Sequence, residues 1–200
     1  LLKYAKFFTL GKMMRTLLAL SSCVALLTAC GGGSSDDPLP IVNTTQAVNI
    51  QFAAQANNQD FKCGTVNEVS NLGTSNKTAQ IQDLRFYISS LKLINSKGEA
   101  VAVSLTPNDY QDFGVALLDF EDATGVCVGD AKLNTSIVGK VKADTYTGIQ
   151  FTLGVPDTGT DSTGKTIALN HSQLTAITKP LDIAAMDWGW QLGRKFAKIE

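Results

Sequence analysis

Short apolar segments, separated by turn residues, run through this chain from about residue 43 onward. Three of them alternate between apolar and polar positions or are rich in β-branched and aromatic residues: Ala47–Ala54, Leu84–Ile94 and Tyr146–Leu153. In the first, Val48, Ile50 and Phe52 recur at every second position, which places them on one face of a strand. The pattern predicts a β-strand in each of the three segments.

The segments between these strands favour turns and hairpins. Asn95–Gly98 is a turn sequence, and the apolar segment Ala100–Leu105 follows it, so we predict a hairpin with the preceding strand. Gly154–Gly164 is rich in Gly, Thr and Asp and is interpreted as a long solvated loop, because it lacks the ligand spacing of a calcium-binding EF-hand. No long stretch has the 3.6-residue periodicity of a helix. We therefore predict an all-β domain over residues 43–200, an antiparallel β-sandwich or a barrel-like relative.

The N-terminal part has the pattern of a bacterial lipoprotein signal peptide. A positive start at Met13–Arg15 precedes the apolar run Leu17–Leu27, which is too short to span a bilayer, and small residues then lead to Cys30. We predict that residues 1–30 are upstream residues and signal peptide and that Cys30 is lipidated. Residues 31–42 would be a flexible linker. The alternative is an ordinary secreted protein in which this cysteine occurs by chance.

Charge and the C-terminal end refine this interpretation. The chain has 17 basic and 18 acidic residues. Residues 1–30 contain four of the basic ones and no acid, which leaves 13 against 18 and a formal charge of −5 for the remainder. There is no basic run, so nucleic acid is not an expected partner.

Residues 196–200 alternate as a strand does, with no closing turn, and we expect the domain to be incomplete at its C-terminus.

Two of the four cysteines are available to the domain. Cys23 leaves with the signal peptide and Cys30 would carry lipid, so Cys63 and Cys127 remain. In an oxidising compartment they are expected to pair with each other, or each with a cysteine beyond residue 200. A role as metal ligands is less favoured, because neither has a second Cys or a His at close spacing.

The candidate chemistry lies near the C-terminus. His171 is the only histidine, and Trp188 and Trp190 are the only tryptophans. Imidazole and the thioether of Met186 are ligands of late transition metals, and in an extended segment the two indoles would project to one face. The alternative is that the tryptophans are core residues and the histidine is structural. No nucleophile elbow or zinc-protease motif occurs, so we do not expect an enzyme that acts alone.

Several short motifs together resemble those of the MbnP-like family of periplasmic copper proteins, also known as metallo-mystery pair four-Cys motif proteins. Each motif is modest by itself, and their order along the chain makes the resemblance specific. They are Phe52-Ala53, Phe61-Lys62-Cys63-Gly64, Leu84–Ser89, Leu117–Phe120 with Cys127, Tyr146, Ile149–Pro156, Asn170-His171, Pro180-Leu181, Met186–Gln191 and Lys195-Phe196.

The resemblance implies a copper site made with a partner enzyme. Members are secreted copper-binding β-proteins encoded beside a di-haem cytochrome c peroxidase (MauG/MbnH-like), which oxidises a tryptophan to kynurenine. Transferred to this chain, His171 is a copper ligand and Trp188 or Trp190 is the oxidised residue, and the ring-opened indole offers new donor atoms. The chain departs from the family in having two of its four motif cysteines and an Arg at position 194, where an aromatic residue is common.

The alternative function needs no metal. A lipid-anchored β-sandwich could bind a protein or a glycan through exposed aromatic side chains, and Trp188 and Trp190 are the candidates for that contact. Binding that survives metal chelation would favour this alternative over the copper site.

Overall fold

The computed structural model describes residues 2–9, 44–56, 59–61, 63, 68–189 and 191–200, and regular structure there is nearly all β-strand. The strands are, in chain order, β1 (Leu2–Thr9), β2 (Thr45–Ala56), β3 (Gln59–Asp60), β4 (Glu68–Leu72), β5 (Lys77–Gln80), β6 (Leu84–Asn95), β7 (Ala100–Ala102), β8 (Ser104–Leu105), β9 (Gln111–Asp112), β10 (Val115–Asp119), β11 (Ser136–Lys142), β12 (Tyr146–Leu153), β13 (Thr158–Thr160), β14 (Thr166–Ala168) and β15 (Ala197–Ile199). Two short 3₁₀ helices span Thr175–Ile177 and Ala184–Met186. In the part of the chain so described, no helix is long and apolar enough to cross a membrane.

The strands form two main sheets in which neighbouring strands are antiparallel. The first sheet has the order β1-β2-β11-β8, with β3 also paired to β2. The second has the order β12-β6-β10-β9, and β7 and β15 also pair with β6. The pairs β13–β14 and β4–β5 form two further, two-stranded sheets. The predicted all-β, antiparallel, sandwich-like fold is confirmed.

The segments with the strongest alternation form the strands that were predicted from them. β2, β6 and β12 cover the three segments, and β15 forms where the C-terminal alternation predicted a strand. Val48, Ile50 and Phe52 of β2 are all buried, as their period-two spacing requires.

Two local predictions need correction. Ala100–Leu105 does not stay with β6: β7 forms the expected hairpin, and then β8 crosses to the first sheet and pairs with β11. The predicted loop Gly154–Gly164 contains β13, which pairs with β14. The sequence of β13 is Thr-Gly-Thr, which has no apolar alternation, so the pairing partner and not the local pattern makes it a strand.

The main core lies between the two sheets. The first sheet contributes Ile50 and Ile137, and the second contributes Ile88, Leu93 and Leu118. Each of these side chains is buried, and full burial of such a side chain stabilises a fold by roughly 1.5–3 kcal/mol.

The second sheet is also covered on its outer face. Every residue of β10 is buried, which requires cover on both sides of the strand. On the outer side, Tyr87 and Leu117 pack in a second cluster with Leu169, Leu181 and Met186 from the C-terminal segment. The Tyr87 hydroxyl donates a hydrogen bond to the Pro180 carbonyl at 2.9 Å. The C-terminal segment, which carries the candidate site, therefore packs on the outer face of the second sheet.

Cys63 and Cys127 form a disulfide, with Cα atoms 5.6 Å apart, so the predicted pairing of these two cysteines is confirmed. Their sulfurs are consequently not metal ligands here. The signal peptide after residue 9, Cys30, the linker 31–42 and Trp190 lie outside the described residues, and those predictions stand as predictions. Residues 2–9 form β1, which pairs with β2 at the edge of the first sheet.

Candidate metal centre

His171 lies in a short loop after β14, and its neighbours attach that loop to the protein. Leu169 is fully buried and donates its backbone N–H to the Asp157 carbonyl at 2.8 Å. Asn170 donates its backbone N–H to the Pro156 carbonyl at 3.2 Å. The imidazole is 49% exposed, and its Nε2 lies 3.9 Å from Oδ1 of Asp157. The imidazole of His171 and the carboxylate of Asp157, which directly precedes β13, thus lie together at the surface.

Trp188 lies in a tight hairpin made by residues 187–194. Asp187 and Arg194 form an antiparallel bridge, and the backbone N–H of Trp188 donates to the Gly193 carbonyl at 3.2 Å. Gly189 and Gly193 have φ angles of +84° and +80°, which favour glycine. The chain therefore turns directly after Trp188. Trp190 lies outside the described residues, so the common face predicted for the two indoles stays a prediction.

The loop and the hairpin meet at Gly193. A Cβ atom added to Gly193 would lie 3.0 Å from Cε1 of His171 and 2.7 Å from Oδ1 of Asn170. That same Asn170 oxygen accepts a hydrogen bond from the Arg194 backbone N–H at 2.7 Å. The structure therefore brings the imidazole of His171 against the hairpin that carries Trp188, although the two lie 17 residues apart in the sequence.

Arg194 fixes the relative position of these two segments. Its guanidinium is buried and donates hydrogen bonds to the carbonyls of Leu181 at 3.2 Å, Leu169 at 2.5 Å, Asn170 at 2.7 Å and Ser172 at 3.2 Å. These bonds satisfy carbonyls on both sides of His171, and a planar guanidinium with five donors suits such an array. Burial lowers the pKa of Arg194. The arginine that departs from the resembling family is thus a structural clamp in this chain.

Trp188 is 61% exposed, and a lysine lies over its ring. Nζ of Lys195 is 5.8 Å from the ring centroid, within the range of a cation–π interaction. The same Nζ donates a hydrogen bond to the Ala185 carbonyl at 2.9 Å. Sequence reasoning did not single out Lys195 for this contact, because the turn at Gly189 is needed to bring residue 195 back to residue 188.

Met186, the predicted thioether ligand, is placed differently from His171 and Trp188. It is fully buried in the second apolar cluster beside Tyr87 and Leu169. The structure therefore joins His171 to the Trp188 hairpin at the surface and gives Met186 a packing position below it. Trp190, the other predicted site residue, lies outside the described part of the chain.

The donor atoms that this surface provides are few. His171 offers an imidazole nitrogen and Asp157 a carboxylate oxygen, whereas an intact indole has no lone pair suited to a metal. In the parts of the chain that the structure describes, no group of three or more His, Cys, Asp or Glu side chains is arranged to hold a metal ion. The two donors are chemically suited to copper, but further donors are needed to complete its coordination.

A separate group of buried charges lies where β6 begins, and sequence reasoning missed it. Arg85 donates from Nε to Oδ1 of Asp83 at 2.8 Å and from a terminal nitrogen to the other oxygen of Asp83. Its remaining nitrogen lies 3.5 Å from Glu121 and 3.9 Å from Asp119. Lys198 donates to Asp83 at 2.6 Å. Three buried carboxylates therefore share two cations. In the sequence these charges occur singly, within or beside the apolar strands.

Burial has its largest effect on Asp119. It raises the pKa of this carboxyl to about 7, although the N–H of Glu121 and the charge of Arg85 act in the opposite direction. For Arg85, burial lowers the pKa, and the hydrogen bond and charge of Asp83 with the other carboxylates outweigh it, so its pKa is raised. The carboxylate of Glu121 lies directly against Gly129, where an added Cβ would come within 1.6 Å of Oε1. Residue 129 must accordingly lack a side chain.

A cleft of about 380 Å³ lies beside the loop that carries Asp157. Its lining includes Ser90, Lys92, Phe113, Thr158 and Thr160, and none of the predicted site residues. Ser90 has a φ angle of +52°, an uncommon conformation for a residue with a side chain. This conformation coincides with the irregular register between β6 and β12.

Comparison with known proteins gives a consistent result. The family model for MbnP matches residues 45–200. The solved structure of MbnP from Methylosinus trichosporium is similar to this chain, with a TM-score of 0.69 and 37% sequence identity. The match covers 78% of this chain and 54% of that one, so this chain spans about half the length of the solved relative. No curated protein matches the chain.

Proposed function

This chain belongs to the MbnP family, and from that membership we propose that it is an exported copper-binding lipoprotein of the bacterial cell envelope. Lipid on Cys30 anchors it to the periplasmic face of the outer membrane or to the cell surface, and residues 31–42 are the tether. A di-haem peroxidase of the MauG type oxidises Trp188 or Trp190 to kynurenine. The chain is the substrate of that oxidation and the carrier of the metal, and it catalyses no reaction alone.

One observation carries this proposal: the imidazole of His171 packs against the hairpin that holds Trp188, and both side chains face solvent. A ring-opened indole would present an aniline nitrogen and a carbonyl oxygen near an existing imidazole nitrogen. Asp157 provides a carboxylate oxygen 3.9 Å from that imidazole. Bound there, copper would supply a redox-active ion that prefers imidazole nitrogen among neutral protein ligands. His171 and Asp157 would hold it, and Arg194 would keep the two segments in register.

The test is to express the full chain with and without the di-haem peroxidase. Peptide mass spectrometry then follows residues 188 and 190, and copper content is measured after desalting. We expect one tryptophan to be converted only when the peroxidase is present, together with bound copper. His171→Gln should weaken copper binding at least about tenfold, whereas Gln173→Ala, an exposed neighbour, should not. Unmodified tryptophans and no bound copper would refute the proposal.

The exposure of Trp188 also supports a second candidate, a lipid-anchored sandwich that binds a protein or glycan through aromatic side chains. Exposed aromatic side chains are frequent anchors of such contacts. This function requires Trp188 but not His171. Glycan or protein binding that is retained in a chelator, lost in Trp188→Ala and unchanged in His171→Gln would favour it over the copper site.

A further inference from the structure

Lys195 is held over the indole of Trp188 by two independent attachments. Its backbone N–H donates to the Met186 carbonyl at 2.9 Å, and its Nζ donates to the Ala185 carbonyl at 2.9 Å. Both acceptors belong to the 3₁₀ helix Ala184–Met186, which ends two residues before Trp188. The ammonium group 5.8 Å from the ring centroid is therefore fixed by the fold.

Among the described residues, no acid pairs with this ammonium group. In the residues that the structure describes, no carboxylate oxygen lies within 4 Å of Nζ of Lys195. Lys179, a lysine on the same C-terminal segment, differs in this respect, because its Nζ is 3.3 Å from Asp182. The positive charge of Lys195 therefore acts on the indole with no counter-ion from the described part of the chain beside it.

We propose that Lys195 restrains the one-electron oxidation of Trp188. The inference rests on the proposed function, in which a high-valent haem iron of the peroxidase is the oxidant. In the first step one electron leaves the indole π system and reduces that iron. The indole becomes a radical cation, which then releases its N1 proton to water. A fixed positive charge stabilises the neutral, electron-rich ring and destabilises the radical cation.

The size of the effect depends on how much water surrounds the ring. Two unit charges 5.8 Å apart repel each other weakly in bulk water. This repulsion lowers the rate constant or the equilibrium constant of the oxidation about threefold. In a partly dehydrated interface with an effective dielectric constant near 20, the same geometry gives roughly a hundredfold effect. Trp188 is 61% exposed in the free chain, so we expect the threefold effect when the peroxidase is absent. We expect a larger effect when the bound peroxidase excludes water from the ring.

The first experiment measures Trp188 alone, with a small oxidant. In a Trp190→Phe background, photogenerated tris(bipyridine)ruthenium(III) oxidises the remaining indole, and transient absorption gives the rate. Lys195→Gln should react at least about threefold faster. Lys179→Gln removes the same net charge from the same segment and should react at the background rate. Lys195→Arg retains the charge and should also react at the background rate. Equal rates for Lys195→Gln and Lys179→Gln would overturn the proposal.

The second experiment uses the natural pair of tryptophans with the di-haem peroxidase and hydrogen peroxide. Peptide mass spectrometry should find a larger share of the product on Trp188 in Lys195→Gln than in the unaltered chain. An equal share of the product on Trp188 in the two chains would overturn the restraint. If the peroxidase alters neither residue, the proposed function fails, and the ruthenium rates still decide whether Lys195 restrains Trp188. Far-UV circular dichroism establishes that each variant is folded.

Discussion

Replacing Asp119 with asparagine is expected to stabilise the protein progressively as the pH rises from 4 to 7. Asp119 is buried beside Arg85 and Glu121, and burial raises its pKa from 3.8 to about 7. The folded state therefore holds a proton on this carboxyl that the unfolded chain has already released. Between pH 3.8 and about 7 the unfolded state binds fewer protons than the folded state. The free energy of unfolding of the unaltered protein therefore falls as the pH increases.

The magnitude follows from the difference between the two pKa values. Each pH unit between them costs the unaltered protein about 1.4 kcal/mol, and the loss levels off above pH 7 at about 4 kcal/mol. An asparagine at this position is always neutral, and its Oδ1 can still accept the hydrogen bond that Asp119 receives from the Glu121 N–H. The variant lacks the titration, so its stability advantage over the unaltered protein should grow over this range.

Urea denaturation at pH 4.5, 6 and 8, followed by far-UV circular dichroism, measures this difference directly. Asp122→Asn is the control. Hydrogen bonds from Thr124 lower the pKa of Asp122, so its titration lies below this pH range, and the variant should differ from the unaltered protein by the same amount at all three pH values. A difference between Asp119→Asn and the unaltered protein that is the same at all three pH values would refute the reasoning. That result would mean that Asp119 is ionised in the folded state at the lowest pH.

Two further predictions concern the supports of the site and of the fold. Arg194→Met should lower the free energy of unfolding by about 3 kcal/mol, because it leaves several buried carbonyls without a donor. A thermal denaturation curve identical to that of the unaltered protein would contradict the structural role of Arg194. Cys127→Ser should lower the free energy of unfolding by roughly 4 kcal/mol, because the disulfide joins residues separated by 64 positions. A loss below about 1 kcal/mol in urea denaturation would contradict this and show that residual structure already constrains the unfolded chain.

The candidate site shows where sequence reasoning succeeds and where it stops. It found the C-terminal segment because rare side chains, one imidazole and two indoles, occur close together in the sequence. It named Lys195 and Arg194 but did not assign their roles, because those roles depend on the turn at Gly189 and on the backbone carbonyls around His171 that need a donor. Lysine and arginine are common at surfaces, and nothing local distinguishes one that lies over an indole from one that lies in water.

By itself the sequence determined the β-strands with clear alternation, the all-β class, the two cysteines available to the domain and the segment that carries the candidate site. These features depend on residue types and on a period of two, which the chain shows directly. Tertiary structure alone decided that β8 crosses to the other sheet, that Met186 is a core residue, that Asp119 is forced toward neutrality and that His171 meets the Trp188 hairpin. The physical reason is that alternation records which side chains avoid water, whereas the surface that covers them comes from residues far away in the chain.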